Sequence, residues 1–452
     1  MKRSRLSGIS ALLVGTALFI FLGSVFEIHA PGVAGDFKAS YYSARCLVQR
    51  GCDPYAEGDV FRMYDEQEHV HLPVSDSSRS VVTRYVYLPT AFLFTTPFAL
   101  LPVGPAHVLW MIVTAGSLAL AGFLMWTFGL NGAPLASGVL LGFLLANSGM
   151  ALAIGNPAGV VVGLCVIAVW CFVNERLVPA GVICLAISLA LKPHDAGFVW
   201  LYLLLAGGTL RRCALRSVAV YVVFTLPILL WTTRISPHWI QALHSNLLWF
   251  SQRGGINDPG PSSFTGHGVI RAIDLQAAIS VFKDDPHFYN AMSFLVCGLL
   301  FFVWAFVVLR SRQTSAGLWF VFAGIAALSM LPSYHRAYDA KILLLTVPGF
   351  AMLWAEGGVV RWAALLVSGS AISATGDFPL AILALFARRL PLSADSFFGK
   401  LITVSLWSPT PLILLVTSIF FLWAFVRQNS RSVAISPFAG SANTFASGIT
   451  VS

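Results

Sequence analysis

"AMSFLVCGLLFFVWAFVVLRSR", Ala291–Arg312, decides how the rest of the chain is read. From Ala291 to Leu309 no residue carries a charge, and then Arg310 and Arg312 follow at once. An uncharged apolar run of roughly 18 residues or more is long enough to cross a bilayer as a helix. Arginines just beyond such a run mark the cytoplasmic side. Comparable runs recur from Ala11 to Trp423, in a chain of 452 residues that is 57% hydrophobic and 10% charged. Soluble domains carry about a quarter charged residues. The composition therefore predicts an all-α polytopic membrane protein, and its length does not convert into a count of soluble domains.

The net charge of +9 does not point to nucleic acid, because lysines and arginines sit in short clusters between apolar runs. Arg211-Arg212 with Arg216, Arg310 with Arg312, and Arg427 with Arg431 read as cytoplasmic turns. Apolar segments lie near 87–103, 106–128, 135–153, 155–173, 178–191 and 194–209, and again near 218–233, 290–309, 316–332, 340–355, 361–376 and 402–426. If all six of the first group crossed, Arg211-Arg212 would fall outside, against the charge rule. One of them must fail to cross, or two must form one broken helix, with Pro157 and Pro193 as the break points. The expected total is about 11 to 13 spans.

Lys2-Arg3-Ser4-Arg5 before apolar Ala11 to Phe26 fits either a cleaved signal peptide or a retained first helix. Retention is the expectation carried forward. It places residues 1–426 in one transmembrane unit, with outer loops at about 29–86, 234–289 and 377–400. The Ser/Ala/Gly-rich tail 427–452 is expected to be disordered and cytoplasmic. Of seven cysteines, five lie in or beside apolar helices as small core residues, while Cys46 and Cys52 share the first outer loop, as two free thiols or as a disulfide. No internal repeat, Walker loop or GxGxxG appears, so soluble nucleotide-binding machinery is not expected.

Charge is scarce, so its placement is informative. The first outer loop holds eight of the nineteen acids, and Asp36 is the one nearest the end of the first helix. "LKPHD" brings Lys192, His194 and Asp195 between two apolar runs. "SSFTGHGVIR", Ser262–Arg271, lies in the second outer loop, and "LPSYHRAYDAKI", Leu331–Ile342, carries His335, Arg336, Asp339 and Lys341. Each has an ordinary structural explanation: solvated acids, a snorkelling Lys192, a hydrogen-bonded His335, an Arg336–Asp339 pair. Gathered around one pocket, they are a carboxylate that can deprotonate a hydroxyl and cations that can hold a phosphate.

"DFKASYYSARCLVQRGCDPY" followed by "YVYLPTAFLFTTPFALLP" resembles the opening of glycosyltransferase family 87, membrane enzymes of the GT-C type. The matching residues are Asp36-Phe37, Tyr41-Tyr42, Gly51 with Pro54-Tyr55, Tyr87 with Pro89, and Leu101-Pro102. "GNPAG" stands where the family has Gly-Gln-x-Asn, with Asn156 for the Gln. Leu88 interrupts the family's Tyr-Pro-Pro, and Ser262-Ser263 stand at an Asn-Gln-Ser. "LALKP" and "YHRAYD" match its Lys-Pro and His-containing elements.

The resemblance covers about residues 36–350. It implies a GT-C-like bundle with a large first extracytoplasmic loop and an inverting hexosyltransferase similar to polyprenyl-phosphate-mannose-dependent α-mannosyltransferases. Asp36 is then the catalytic base. Lys192 and Arg336 hold the donor phosphate, His335 orients the phosphate or acceptor, and Tyr41, Tyr42 and Asp339 complete the substrate-binding set. The expected partners are a polyprenyl-phosphate-linked sugar, a lipid or glycan acceptor and membrane lipids, in a bacterial inner membrane. No metal, separate cofactor or nucleic acid is assigned. A lipid-linked-sugar flippase would need the same cations without a base, and an envelope assembly subunit would need neither.

Overall fold

The computed structural model describes residues 2–29, 34–68, 77–261, 263, 272–311, 314–379, 381–382 and 396–439. Among them there is no strand, only an isolated antiparallel bridge between Ala272 and Arg336. Most of the "SSFTGHGVIR" segment, most of the third outer loop and residues 440–452 of the tail lie outside the described residues.

The first helix, α1 (Lys2–His29), carries the basic flank and the first apolar run as one element. Among the described residues, the outer loop holds the short helices α2 (Gly35–Arg45), α3 (Glu57–Glu68) and α4 (Ser77–Thr83), and the short α5 (Phe92–Ala99) follows it. Cys46 and Cys52 are joined across the turn after α2, with Cα atoms 5.2 Å apart. A long α6 (Val103–Gly129) returns through the apolar layer. It is followed by α7 (Pro134–Ala146), the single turn and a half of α8 (Gly149–Ala153), α9 (Ala158–Val173), α10 (Val178–Leu191) and α11 (Pro193–Ala206).

The second half runs through α12 (Gly208–Ile235), α13 (Trp239–Ser251), α14 (Leu275–Ser280), α15 (Pro286–Arg310) and α16 (Ser315–Ser329). A buried 3-10 segment, Asp339–Leu345, leads into α17 (Thr346–Glu356), and α18 (Gly358–Ala374), α19 (Phe397–Trp407) and α20 (Pro409–Ala439) close the chain. The tail expected from residue 427 thus begins inside α20, which continues to Ala439.

Among the described residues, five helices are long and apolar enough to cross a membrane unaided: α1, α6, α12, α15 and α20. The other expected spans are built from shorter apolar helices, and Pro157 and Pro193 do stand at breaks, at the starts of α9 and α11. The protein is an all-α polytopic membrane protein. Its long helices are turned inside out relative to a soluble fold: α12 and α15 present Val223 (67% exposed) and Phe302 (68% exposed) on their outer faces. Such surfaces are a liability in water and the natural partner of lipid tails.

The closest helix crossing is that of α1 with α7. A Cβ built on Gly15 would lie 2.1 Å from the Gly142 carbonyl oxygen, and one on Gly142 would lie 2.4 Å from that of Ala11. In lipid there is little hydrophobic drive between helices, so small residues that let backbones touch provide the association. The interior lies between α6, α7, α9, α16 and the Asp339–Leu345 segment, with Leu141, Val162, Phe322 and Leu344 fully enclosed.

Candidate active site

Asp36 stands in the first turn of α2, where the helix dipole favours an acid. The start of α2 is laid onto the "GNPAG" turn. The Phe37 amide donates to the Ile154 carbonyl at 3.4 Å, and Gly155 (φ +66°) leaves room for the Phe37 side chain, which a Cβ would meet at 2.6 Å. Only glycine combines that backbone with that approach. Asn156 then bridges three elements. Its Oδ1 accepts from the Ala158 amide at 2.8 Å at the start of α9, and its Nδ2 donates to Asp36 Oδ2 at 2.7 Å and to the Tyr87 hydroxyl at 3.1 Å.

Lys192 is put in place by its neighbour in sequence. The ring of Pro193 disfavours helical geometry for the residue before it. Lys192 accordingly leaves the helix at φ −152°, ψ 81°, and its side chain turns inward, 3% exposed. Its ammonium pairs with Asp339 Oδ1 and lies 3.2 Å from Asp195 Oδ2, in the first turn of α11. It does not snorkel.

The "SYHRAYD" segment is held from both sides. Ile273 N donates to the His335 carbonyl at 2.9 Å and Leu275 N to that of Leu331 at 3.0 Å, so the end of the second outer loop pairs with it. Asp339 Oδ2 accepts from the Arg336 backbone amide at 2.7 Å. The Arg336 guanidinium turns away from Asp339: its Nη2 donates to the Ile256 carbonyl at 2.5 Å and to Asn257 Oδ1 at 3.0 Å, and its Nε has no hydrogen-bond partner. His335 Nδ1 lies 2.7 Å from the Ser333 carbonyl, and its Nε2 faces Asp195 Oδ1 at 3.5 Å.

These groups form one electrostatic neighbourhood. Burial pushes the Asp36 carboxyl above the ordinary carboxylate range, while the Asn156 hydrogen bond and the charges of Arg336 and Lys192 pull part of that back. Asp36 as a whole residue keeps some accessible surface, while its carboxyl is surrounded by protein. Burial acts to lower His335, but the Asp195 carboxylate facing its Nε2 and the charge of Asp339 outweigh it, and its pKa is raised.

Of the residues expected from sequence, the fold brings Asp36, Lys192, His335, Arg336 and Asp339 together. It does not bring Tyr41 and Tyr42. Both are buried within the outer loop's own core, the Tyr41 hydroxyl donating to the Leu101 carbonyl at 2.7 Å and that of Tyr42 to Glu68 at 2.8 Å. Nor do Arg336 and Asp339 pair through their side chains. Asn156 and Tyr87 carry no charge that would single them out in the sequence, although both stand in the motifs that carry the resemblance. Asp195 and His194 were noticed only as neighbours of Lys192.

The model of glycosyltransferase family 87 matches residues 85–333, more than half of the chain. The chain belongs to glycosyltransferase family 87. This family 87 protein is therefore a membrane glycosyltransferase acting between a sugar donor and an acceptor. The matched span takes in Tyr87, Asn156, Lys192 and Asp195, and leaves Asp36 and His335 to either side. Neither the curated proteins nor the solved structures contain a significant match to it.

Proposed function

We propose that this glycosyltransferase moves a hexose, mannose foremost, from a polyprenyl phosphate to a hydroxyl of a lipid- or glycan-linked acceptor. The reaction takes place at the extracytoplasmic face of a bacterial inner membrane. The observation that carries this reading is the position of Asp36: it follows the first span, is held by Asn156, and lies within reach of the charges of Arg336 and Lys192. A carboxyl with raised proton affinity beside cationic groups is suited to general-base work.

Asp36 takes the proton of the acceptor hydroxyl as its oxygen attacks the anomeric carbon. The bond from that carbon to the phosphate oxygen breaks, and polyprenyl phosphate leaves with the electron pair. A single displacement inverts the anomeric centre. The unpartnered Arg336 Nε is assigned to the donor phosphate. Lys192, held between Asp339 and Asp195, adds positive potential, and His335 orients the phosphate or acceptor.

Asp36→Asn keeps size and polarity but cannot accept the proton, so turnover should fall by at least about 10²-fold while the protein still inserts and binds polyprenyl phosphate. Glu66→Gln, at a half-exposed acid paired with Arg50 in the same loop, is the control and should retain turnover. Sugar transfer by Asp36→Asn at the unaltered rate would remove Asp36 as the base of the mechanism.

A further inference from the structure

His194 Nε2 lies 3.4 Å from Asp195 Oδ1, and His335 Nε2 lies 3.5 Å from the same oxygen. One ligand atom from each of the three residues falls within 4.8 Å of the others. We propose that His194, Asp195 and His335 form a binding site for one divalent transition-metal cation of the zinc class.

Hydrogen bonding fixes what the atoms at the centre can do. The Ser333 carbonyl can only accept, so His335 Nδ1 carries the hydrogen there, and in the neutral ring Nε2 presents its lone pair inward. A ring nitrogen anchored to a backbone carbonyl through its other N–H is the usual support of a metal-bound histidine. The lone pair faces a carboxylate oxygen, and the two acceptors need a cation between them, which a metal ion or a proton can supply. Asp195 Oδ1 and His335 Nε2 are both buried and make no hydrogen bond, on side chains 2% and 3% exposed. The other oxygen of Asp195 is turned to Lys192, whose ammonium is balanced in turn by Asp339. Oδ1 is the oxygen left over.

The spacing suits a small ion. Zinc bonds to nitrogen and oxygen are about 2.0–2.1 Å, which sets the edge of a tetrahedron at about 3.3 Å. Two of the three edges are already near that length, and a turn of the His194 ring, which is 46% exposed, would shorten the third. Two imidazoles and one carboxylate suit zinc, manganese or ferrous iron better than calcium. Three protein ligands leave a fourth position for water or an anionic oxygen.

Charge of both signs surrounds the site, with Asp36, Asp195 and Asp339 opposing Lys192 and Arg336. Asp274 adds to the acidic side beside His335. Lys341, the next cation, is opposed by Asp377. A divalent ion would add positive charge there and carry out, through His335, the orienting role given to that residue above. That last step rests on the proposed reaction; the metal site itself does not.

The test measures binding rather than turnover. Purified full-length protein in detergent is stripped with a chelator, reloaded with Zn²⁺ or Co²⁺, passed over a desalting column and assayed for metal by mass spectrometry. About one ion per chain is expected, with a Co²⁺ ligand-field spectrum of low coordination number. Affinity should fall at least about tenfold in His194→Ala, whose exposed side chain can be lost without loss of fold, and similarly in His335→Gln and Asp195→Asn. His244→Ala, at a histidine remote from the cluster, should bind like the unaltered chain. Thermal melting verifies that each variant is folded. Absence of stoichiometric metal, or equal binding by the unaltered chain and a folded His194→Ala, would overturn the site. A proton shared between His335 and Asp195 would then be the cation between them.

Discussion

Asn156 spends both ends of its amide on different elements, the oxygen on the start of α9 and the nitrogen on Asp36 and Tyr87. A hydrogen bond to the charged form of an acid lowers its pKa, so Asn156 offsets part of the upward push that burial gives Asp36. The general base works only when deprotonated, so activity is lost as pH falls through the Asp36 pKa. Because that pKa is raised, the acid limb of the rate profile should lie above the ordinary carboxylate range. In Asn156→Ala the limb should move to still higher pH, and a pH series of transfer rates with both proteins checks this. An unmoved limb would mean that Asn156 does not act on the base. The effect on stability runs the other way: a raised carboxyl binds its proton more tightly in the folded state, so its contribution declines as pH rises. Sequence alone singled out the charged residues here, because charge at membrane depth is costly and conspicuous. An amide has no such signature. Tyr41 and Tyr42 misled because an aromatic pair serves a sugar pocket and a loop core equally well.

At the scale of helices, the α1–α7 crossing depends on the absence of side chains. Gly142→Leu would drive a side chain into the α1 backbone at Ala11 and should cost at least about 1–3 kcal/mol, read as a lower melting temperature in detergent. Gly298→Ala on α15, where a Cβ would meet nothing within 4 Å, should be neutral or slightly stabilising. An unaltered melting point for Gly142→Leu would mean that the two helices are not in contact. Breaks at Pro157 and Pro193 were legible because proline acts on its immediate neighbours. The break between α7 and α8 was not. It is held from far away: the Asn147 carbonyl and Oδ1 accept from Asp377 N and Phe378 N at 3.0 and 2.7 Å, and Asp377 Oδ2 accepts from Met150 N at 2.8 Å. No local pattern carries a partner 230 residues distant.

For the molecule as a whole, the apolar runs reveal the membrane class but not how many helices cross. Short helices that stack end to end and long single spans leave the same trace in composition. Sidedness is open to measurement. Cysteines introduced at Ser78 and Ser430 should react with impermeant reagents from opposite faces, the first from outside. Labelling of Ser78→Cys from the cytoplasm alone would place the Asp36 loop on the wrong side. The site also has a chronology. Its residues come from positions 36, 156, 192–195 and 335–339, so the ribosome has made almost three quarters of the chain before Asp339 reaches Lys192. Until then an ammonium enters the bilayer without its principal counter-ion. Asp195, one helical turn along, supplies a charge from the same stretch of nascent chain. The α10–α11 segment can therefore leave the translocon already neutralised, and Asp195→Asn should lower its insertion in a chain truncated before Asp339, even if the finished protein tolerates the change.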